Sequence, residues 1–224
     1  MPIDIKTHAE RPRYFPRQVI TADDLTLEQD YFRDRLRRHN RLLHGWGIVC
    51  GVKVEAIVDK PWIVKVNPGY ILGPYGDEIH IEQIVCCDLR IKCTSAIVSE
   101  ATDYCTDSVT QVPPAGGTFF VVARYREDKA RPVRLRASGC DCGENPCEYS
   151  RWRDSYDLCV LDVLPASHHP PSATPTPAPD TGAPDCPPMP LDPWVVLAAV
   201  KVTDKGVVDS IDFTPCDLRV ARGL

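Results

Sequence analysis

A chain of 224 residues is long enough to bury a sizeable core in one large or two small domains. Its 43% apolar and 25% charged residues are ordinary for a soluble globular protein, and a net charge of −5 weighs against a dedicated nucleic-acid binder, whose phosphate contacts call for a basic surface. No apolar run approaches the roughly 20 residues of a membrane-spanning helix, and the opening MPIDIKTHAERPRYF is too polar for a secretory signal.

Residues 1–20 read as an extended arm in which Pro12 and Pro16 bracket Tyr14 and Phe15 and disfavour helix. Adjacent aromatics in such an arm suit a groove on the same subunit or on a neighbour. Residues 21–44 form one amphipathic helix. Thr21 is its N-cap, and Asp23 and Asp24 lie in the first turn, where carboxylates meet the positive end of the helix dipole. Leu25, Phe32, Leu36 and Leu43 recur at the spacing of one buried stripe. The other face sets Glu28, Asp30 and Asp34 ahead of Arg33, Arg37, Arg38 and Arg41, an order that suits dipole and i,i+4 pairs alike. Gly45 ends the helix in a left-handed turn, from which Trp46 can fold back over the stripe.

Residues 45–224 read as a β-rich body. A strand is expected at 48–58 with a bulge at Gly51, then strands separated by Asn67-Pro68-Gly69 and Pro74-Tyr75-Gly76-Asp77 turns. CCDLRIKC extends that sheet. Residues 94–117 are small, polar and end in Pro and Gly, which is loop composition. TFFVVARYRED is a strand over 118–126 with RPVRLR as its hairpin partner, and another strand is expected over 155–164. From Pro165 to Pro193 lie 11 of the chain's 22 prolines, a polyproline-like loop inserted between two strands and unable to fold on its own. WVVLAAVKVTDKGVVDSIDF closes the chain as a hairpin turning at Asp204-Lys205-Gly206. One helix followed by seven or so short strands predicts a mainly β, α+β fold: a β-sandwich or barrel-like body with the helix packed on it.

Eleven cysteines is many for a cytosolic chain, and the odd number leaves at least one outside any set of intrachain disulfides. Without a signal peptide they read first as reduced thiols and possible metal ligands, second as disulfides formed after release. Cys140, Cys142 and Cys147 put three thiolates within eight residues of a Gly/Asn/Pro loop, and a structural zinc would need a fourth ligand. Cys159 is the choice here, with Cys105, Cys87, His168 and His169 as alternatives; the competing reading is free or disulfide-bonded cysteines in a surface loop. Adjacent Cys86 and Cys87 point to opposite faces of a strand, one into the core and one outward. Glu78 and His80 share a strand face and read as a hydrogen-bonded surface pair before they read as acid–base machinery. There is no nucleophile elbow, phosphate loop, HExxH or dinucleotide fingerprint. The arginines at 33–41 are interleaved with acids, which favours a protein-docking face over nucleic acid.

In the order Arg13-Tyr14-Phe15, Glu28-Gln29-Asp30-Tyr31-Phe32 and Gly45-Trp46-Gly47, the opening of the chain resembles the N-terminal shoulder segment of the type VI secretion baseplate adaptor. Similar openings occur in proteins encoded with extracellular contractile injection systems. IVKVNPGYILGPYGDEIHI and residues 194–213 resemble strand pairs of tail-fibre and baseplate proteins. The resemblance covers about half the chain and is carried chiefly by 13–52; the cysteine loop and the proline-rich segment lie outside it. It implies a non-enzymatic structural part of a contractile, phage-tail-like assembly, often trimeric. The partner-binding residues would be Tyr14, Phe15, Phe32 and Trp46 for affinity, with Arg33 and Arg37 for register. Such a subunit would be made in the cytoplasm and carried in the particle, within the cell or outside it after release. Two other classes stay open: a self-assembling surface or filament protein, and a metal-dependent enzyme built on the cysteine cluster.

Overall fold

A computed structural model describes residues 9–93, 114–134, 147–168 and 189–216. The chain is mainly β with one N-terminal helix, α1 (Ala22–His39). Thr21 and Asp24 close a reciprocal capping box: the Thr21 hydroxyl accepts from the Asp24 N–H (3.2 Å), and the Asp24 carboxylate accepts from the Thr21 N–H (2.9 Å). At the other end a π-helical turn, Asn40–His44, precedes Gly45, whose φ of 80° is the expected stop.

Ten strands among the described residues make three sheets, where about seven strands were expected, and no closed barrel forms. The first sheet orders β1 (Gly47–Gly51), β4 (Gly69–Leu72) and β5 (Glu78–Ile81). The second orders β2 (Val54–Ile57), β3 (Lys60–Val66) and β6 (Val85–Asp88). The third has the order β10-β9-β7-β8, with β7 at Gly117–Arg134, β8 at Cys147–Leu161, β9 at Val195–Val202 and β10 at Val208–Asp212.

The single strand expected at 48–58 is two strands in two sheets. Gly51 (φ 68°) and Val52 (φ 55°) turn the backbone through the left-handed region between them. Gly51 also faces Gly69 across the ladder; a Cβ on Gly51 would lie 2.2 Å from the Pro68 carbonyl oxygen, so only glycine fits. RPVRLR is likewise not a hairpin partner. Residues 131–134 continue β7, whose partner from Phe120 to Arg134 is β8. Since β9 pairs only with Gly117–Ala123, the rest of β7 and its partner extend past the sheet as a two-stranded ribbon roughly 35 Å long. Pro132 is tolerated there because the far edge of β7 is open.

All three sheets contribute to one core, in which Val54, Val64, Ile71, Ile79, Val121 and Leu197 are fully or nearly fully buried. β9 is covered on both faces, its other side meeting a smaller cluster of Val122, Cys159 and Val196 under Trp194. The closing hairpin turns at 204–206 as expected: the Thr203 N–H donates to the Val207 carbonyl (2.9 Å).

The helix departs furthest from expectation. No residue of α1 is buried. Its apolar stripe faces outward, with Leu25, Phe32 and Leu36 50%, 53% and 51% exposed and Leu43 beyond them 67% exposed. Periodicity states that a face is apolar and leaves open what covers it; here the polar flank meets the body instead.

Candidate protein interface

Arg33, Arg37 and Asn40 stand one turn apart on the side of the helix that meets the body. Arg33 pairs with Glu127 of β7 (3.2 Å) and with Asp30 one turn back (2.7 Å). Arg37 Nε donates to Asp77 at 2.6 Å, and its guanidinium lies 5.5 Å from the centre of the Tyr125 ring. Burial raises the Asp77 carboxyl above its ordinary range while the Arg37 charge pulls it back. Asn40, the one buried residue of the π turn, donates from Nδ2 to the Gly76 carbonyl (3.0 Å) and to Glu78 (3.2 Å). A Cβ at Gly76 (φ 87°) would sit 2.0 Å from the Arg37 carbonyl oxygen, so the helix end rests directly on that turn. The Tyr125 hydroxyl bonds Asp154 (2.6 Å) and Glu127 (3.1 Å), and with burial these carboxylates raise its pKa.

The arm lies on another side of the helix. The Tyr14 hydroxyl donates to Glu28 (2.6 Å), which raises the phenol above its ordinary pKa, and the Arg11 guanidinium sits 6.0 Å from the centre of the Tyr31 ring. These contacts run antiparallel to α1. Between them and the helix, Pro16 and Arg17 form the corner of a tight turn closed by the Gln18 N–H on the Phe15 carbonyl (3.2 Å). Arg17 holds a φ of 70°, a conformation disfavoured for a side-chain-bearing residue. Phe15 sits at this turn, 61% exposed.

Of the six residues expected to bind a partner, three present apolar or aromatic surface: Tyr14, Phe15 and Phe32. Arg33 and Arg37 hold the helix to its own body. Trp46 does not fold back over the stripe; it packs on the main core, 4.7 Å from the ring of His168. His168 Nε2 accepts the Val196 N–H at 3.1 Å, so this pair fastens the base of the helix to β9. Asn40, Asp77, Glu127 and Tyr125 were not anticipated as anchors. The one sequence signal was Asn40 itself, a polar residue one turn past Arg37 with no cap to serve.

The expected zinc cluster loses a ligand. Cys159 is disulfide-bonded to Cys93 (Cα–Cα 5.3 Å), and a bridged sulfur offers no thiolate. Cys140 and Cys142 lie outside the described residues, and Cys147 opens β8 opposite Arg134. Among the described residues no group of three His, Cys, Asp or Glu is placed to hold a metal. The expectation of reduced thiols is corrected at Cys86 as well, which is disulfide-bonded. Cys86 and Cys87 are both buried, contrary to the one-in, one-out reading, and burial pushes the free Cys87 thiol up to about 12. Cys50 is free and exposed.

Glu78 and His80 do not pair with each other. Glu78 accepts from Asn40, while His80 stands 3.8 Å from Glu82. Burial, and then the hydrogen bond to Glu78, push the Tyr70 phenol up to about 12. These residues line an open groove of about 900 Å³ shared with Arg153, Asp154 and Tyr156 of β8. Its charges are mixed in sign.

Compared with protein-family models and with curated proteins, the chain matches none. Function is therefore read from the exposed apolar surface of arm and helix. Among the described residues no helix is long and apolar enough to cross a membrane.

Proposed function

We propose that the protein is a structural or adaptor subunit of a contractile, phage-tail-like assembly, at the baseplate or at a fibre attachment. It acts by protein–protein binding, without catalysis, as a homo-oligomer in which a trimer is favoured. One observation carries the binding reading: a capped helix, fixed to its body by charged and amide contacts, keeps its apolar stripe uncovered beside an arm that presents Phe15. The contractile class rests on the resemblance of residues 13–52, where arm, helix and Gly-Trp-Gly turn follow in the order found in the baseplate adaptor.

The test is to purify contractile particles from cells that carry this gene and search them for the chain by mass spectrometry. The chain is expected in stoichiometric amount, and replacing Phe15 and Phe32 together by Ala should release it. Particles assembled without the chain, or a double variant retained at full occupancy, would overturn the reading.

A further inference from the structure

The groove beside β8 is bounded by backbone as well as by side chains. β8 is the outer strand of its sheet, and its lining residues Arg153, Asp154, Ser155 and Tyr156 are consecutive, so the strand presents its edge there and not one face. The direction of its hydrogen-bonding groups follows from Val160, whose carbonyl accepts the Cys93 N–H (2.9 Å) on the side away from β7. In an antiparallel pair the N–H and C=O of one residue point to the same side, and the side alternates along the strand. The β7–β8 register shows no shift from Leu161 to Cys147, so Asp154 and Tyr156 aim their backbone groups as Val160 does, into the groove. Among the described residues no other strand pairs with them. Lys92 lies against this same edge in a single parallel bridge to Val160, so the edge accepts extended chain. The free edge of β7 is blocked by Pro132 and by Arg131 at φ 56°, whereas β8 contains no proline and no positive φ.

We infer that this groove takes a basic, extended segment of a partner protein, added to the edge of β8 as a further strand. A row of backbone donors and acceptors is matched by extended backbone, and a groove of about 900 Å³ has room for a short segment. Charge selects the occupant. Glu78, Glu82 and Asp154 stand against the single guanidinium of Arg153. Burial, and then the charge of Glu82, raise the Tyr156 phenol, so that carboxylate acts across the groove. Ile84, 54% exposed, offers apolar contact to alternate side chains of the segment. The internal stretches of this chain outside the described residues have the wrong sign. Residues 94–113 carry Glu100, Asp103 and Asp107 with no Lys or Arg, and 135–146 set Asp141 and Glu144 against Arg136. Residues 169–188 are acidic too, and rich in proline, which has no N–H to donate. This deepens the adaptor reading by giving the partner's chemistry, and rests on it for the biological setting.

The experiment is fluorescence anisotropy, with the full-length chain titrated into a labelled peptide of about ten residues that alternates valine and lysine. The lysine peptide is expected to bind with a Kd of about 10–100 μM, and its glutamate counterpart at least about tenfold more weakly. N-methylation of one alternate set of amides should abolish binding and of the other set should leave it, since only one set faces β8. Asp154→Pro removes an N–H aimed into the groove, a loss that an outer strand tolerates; it should bind at least about tenfold more weakly than Asp154→Ala, which keeps that N–H. Should the proline variant not fold by circular dichroism, the methylated peptides decide. Glu82→Arg, at an exposed site, should move the preference toward the glutamate peptide. Equal binding of the two peptides, the same effect from either methylated set, or a folded Asp154→Pro that binds like Asp154→Ala would overturn the inference. Binding that appears only when Arg219→Ala and Arg222→Ala are introduced together would overturn it as well, because the chain's own basic end would then be the occupant. If the lysine peptide does not bind while the chain is found in purified particles, this inference fails and the adaptor reading stands. If it binds but the chain is absent from particles, the strand site stands and the adaptor reading fails.

Discussion

Replacing Cys93 and Cys159 by alanine separates two accounts of the cysteines. The bridge joins residues 66 apart, from just past β6 to β8, beside the hydrogen bond from the Cys93 N–H to the Val160 carbonyl. Closing a loop of that length restricts the unfolded chain by roughly 4 kcal/mol in the chain-entropy account. The Cys159 sulfur also packs among Val122 and Val196, and its loss adds on the order of 1 kcal/mol. Against a typical total of about 5–15 kcal/mol this is a large part of the stability. With a urea slope near 2 kcal/mol per molar, the double variant should unfold about 2 M earlier than the oxidised wild type, followed by tryptophan fluorescence. Reductant should bring the wild type most of the way down to the variant and move the variant much less, because the variant has lost this bridge. Coincident midpoints, or peptide mapping that finds both thiols free to alkylate, would refute the reasoning. Stoichiometric zinc displaced by mutation of Cys159 would refute it too, and would return that residue to the metal cluster.

Arg37→Met removes the cation beside Asp77 and its stacking on Tyr125. The helix end should loosen by about 2 kcal/mol, read as roughly thirtyfold faster amide exchange over 36–44 with β9 unchanged; adding Asp77→Asn should recover part of it. Gly76→Ala places a methyl where the Arg37 carbonyl oxygen already lies at 2.0 Å, so it should cost more than the roughly 1–2 kcal/mol of left-handed backbone strain alone and show the same exchange signature. Glu55, held by Lys53, Asn67 and Lys65, has its pKa lowered from the ordinary 4.5 to about 2. The folded value lies below the unfolded one, so its stabilisation is complete above about pH 4.5 and is lost as pH falls toward 2; Glu55→Gln should flatten the acid limb of the stability profile in that window. An acid limb unchanged by that substitution would contradict the assignment.

What could be read in the sequence was local. The N-cap at Thr21, the stop at Gly45, the turns around Pro68 and Tyr75 and the closing hairpin each depend on residues a few positions apart, and each is where the residue chemistry put it. Longer-range pairing escaped. RPVRLR was expected to turn back as a hairpin partner, yet an open edge tolerates Pro132 and β7 runs through to Arg134. The Cys93–Cys159 bridge and the Arg37–Asp77 pair link residues 66 and 40 apart, and nothing in the spacing of either selects the partner. At the candidate site, Phe15 and Phe32 stood out by type and Trp46 by its place in the turn. Only packing distinguishes the two that stay exposed from the one absorbed into the core.

The helix shows why the distinction matters. An isolated helix of 18 residues is marginal in water, and burial of an apolar face on a core is the usual remedy. Here the remedy is different: a capping box at one end, the Asn40 lock on Gly76 at the other, and arginine contacts along the flank between them. Those contacts fix position and direction, since charged and amide groups are selective about geometry where apolar contacts are not. They also leave the apolar stripe uncovered. A helix whose only task was to cap the sheet would gain by turning that stripe inward, at about 25 cal/mol per Å² of apolar surface covered. Keeping Leu25, Phe32 and Leu36 outward forgoes that gain in the single chain, and the loss is recovered only where another surface covers them. The body therefore serves as a mount that holds the stripe outward, and this exposed direction is what the proposed partner-binding role rests on.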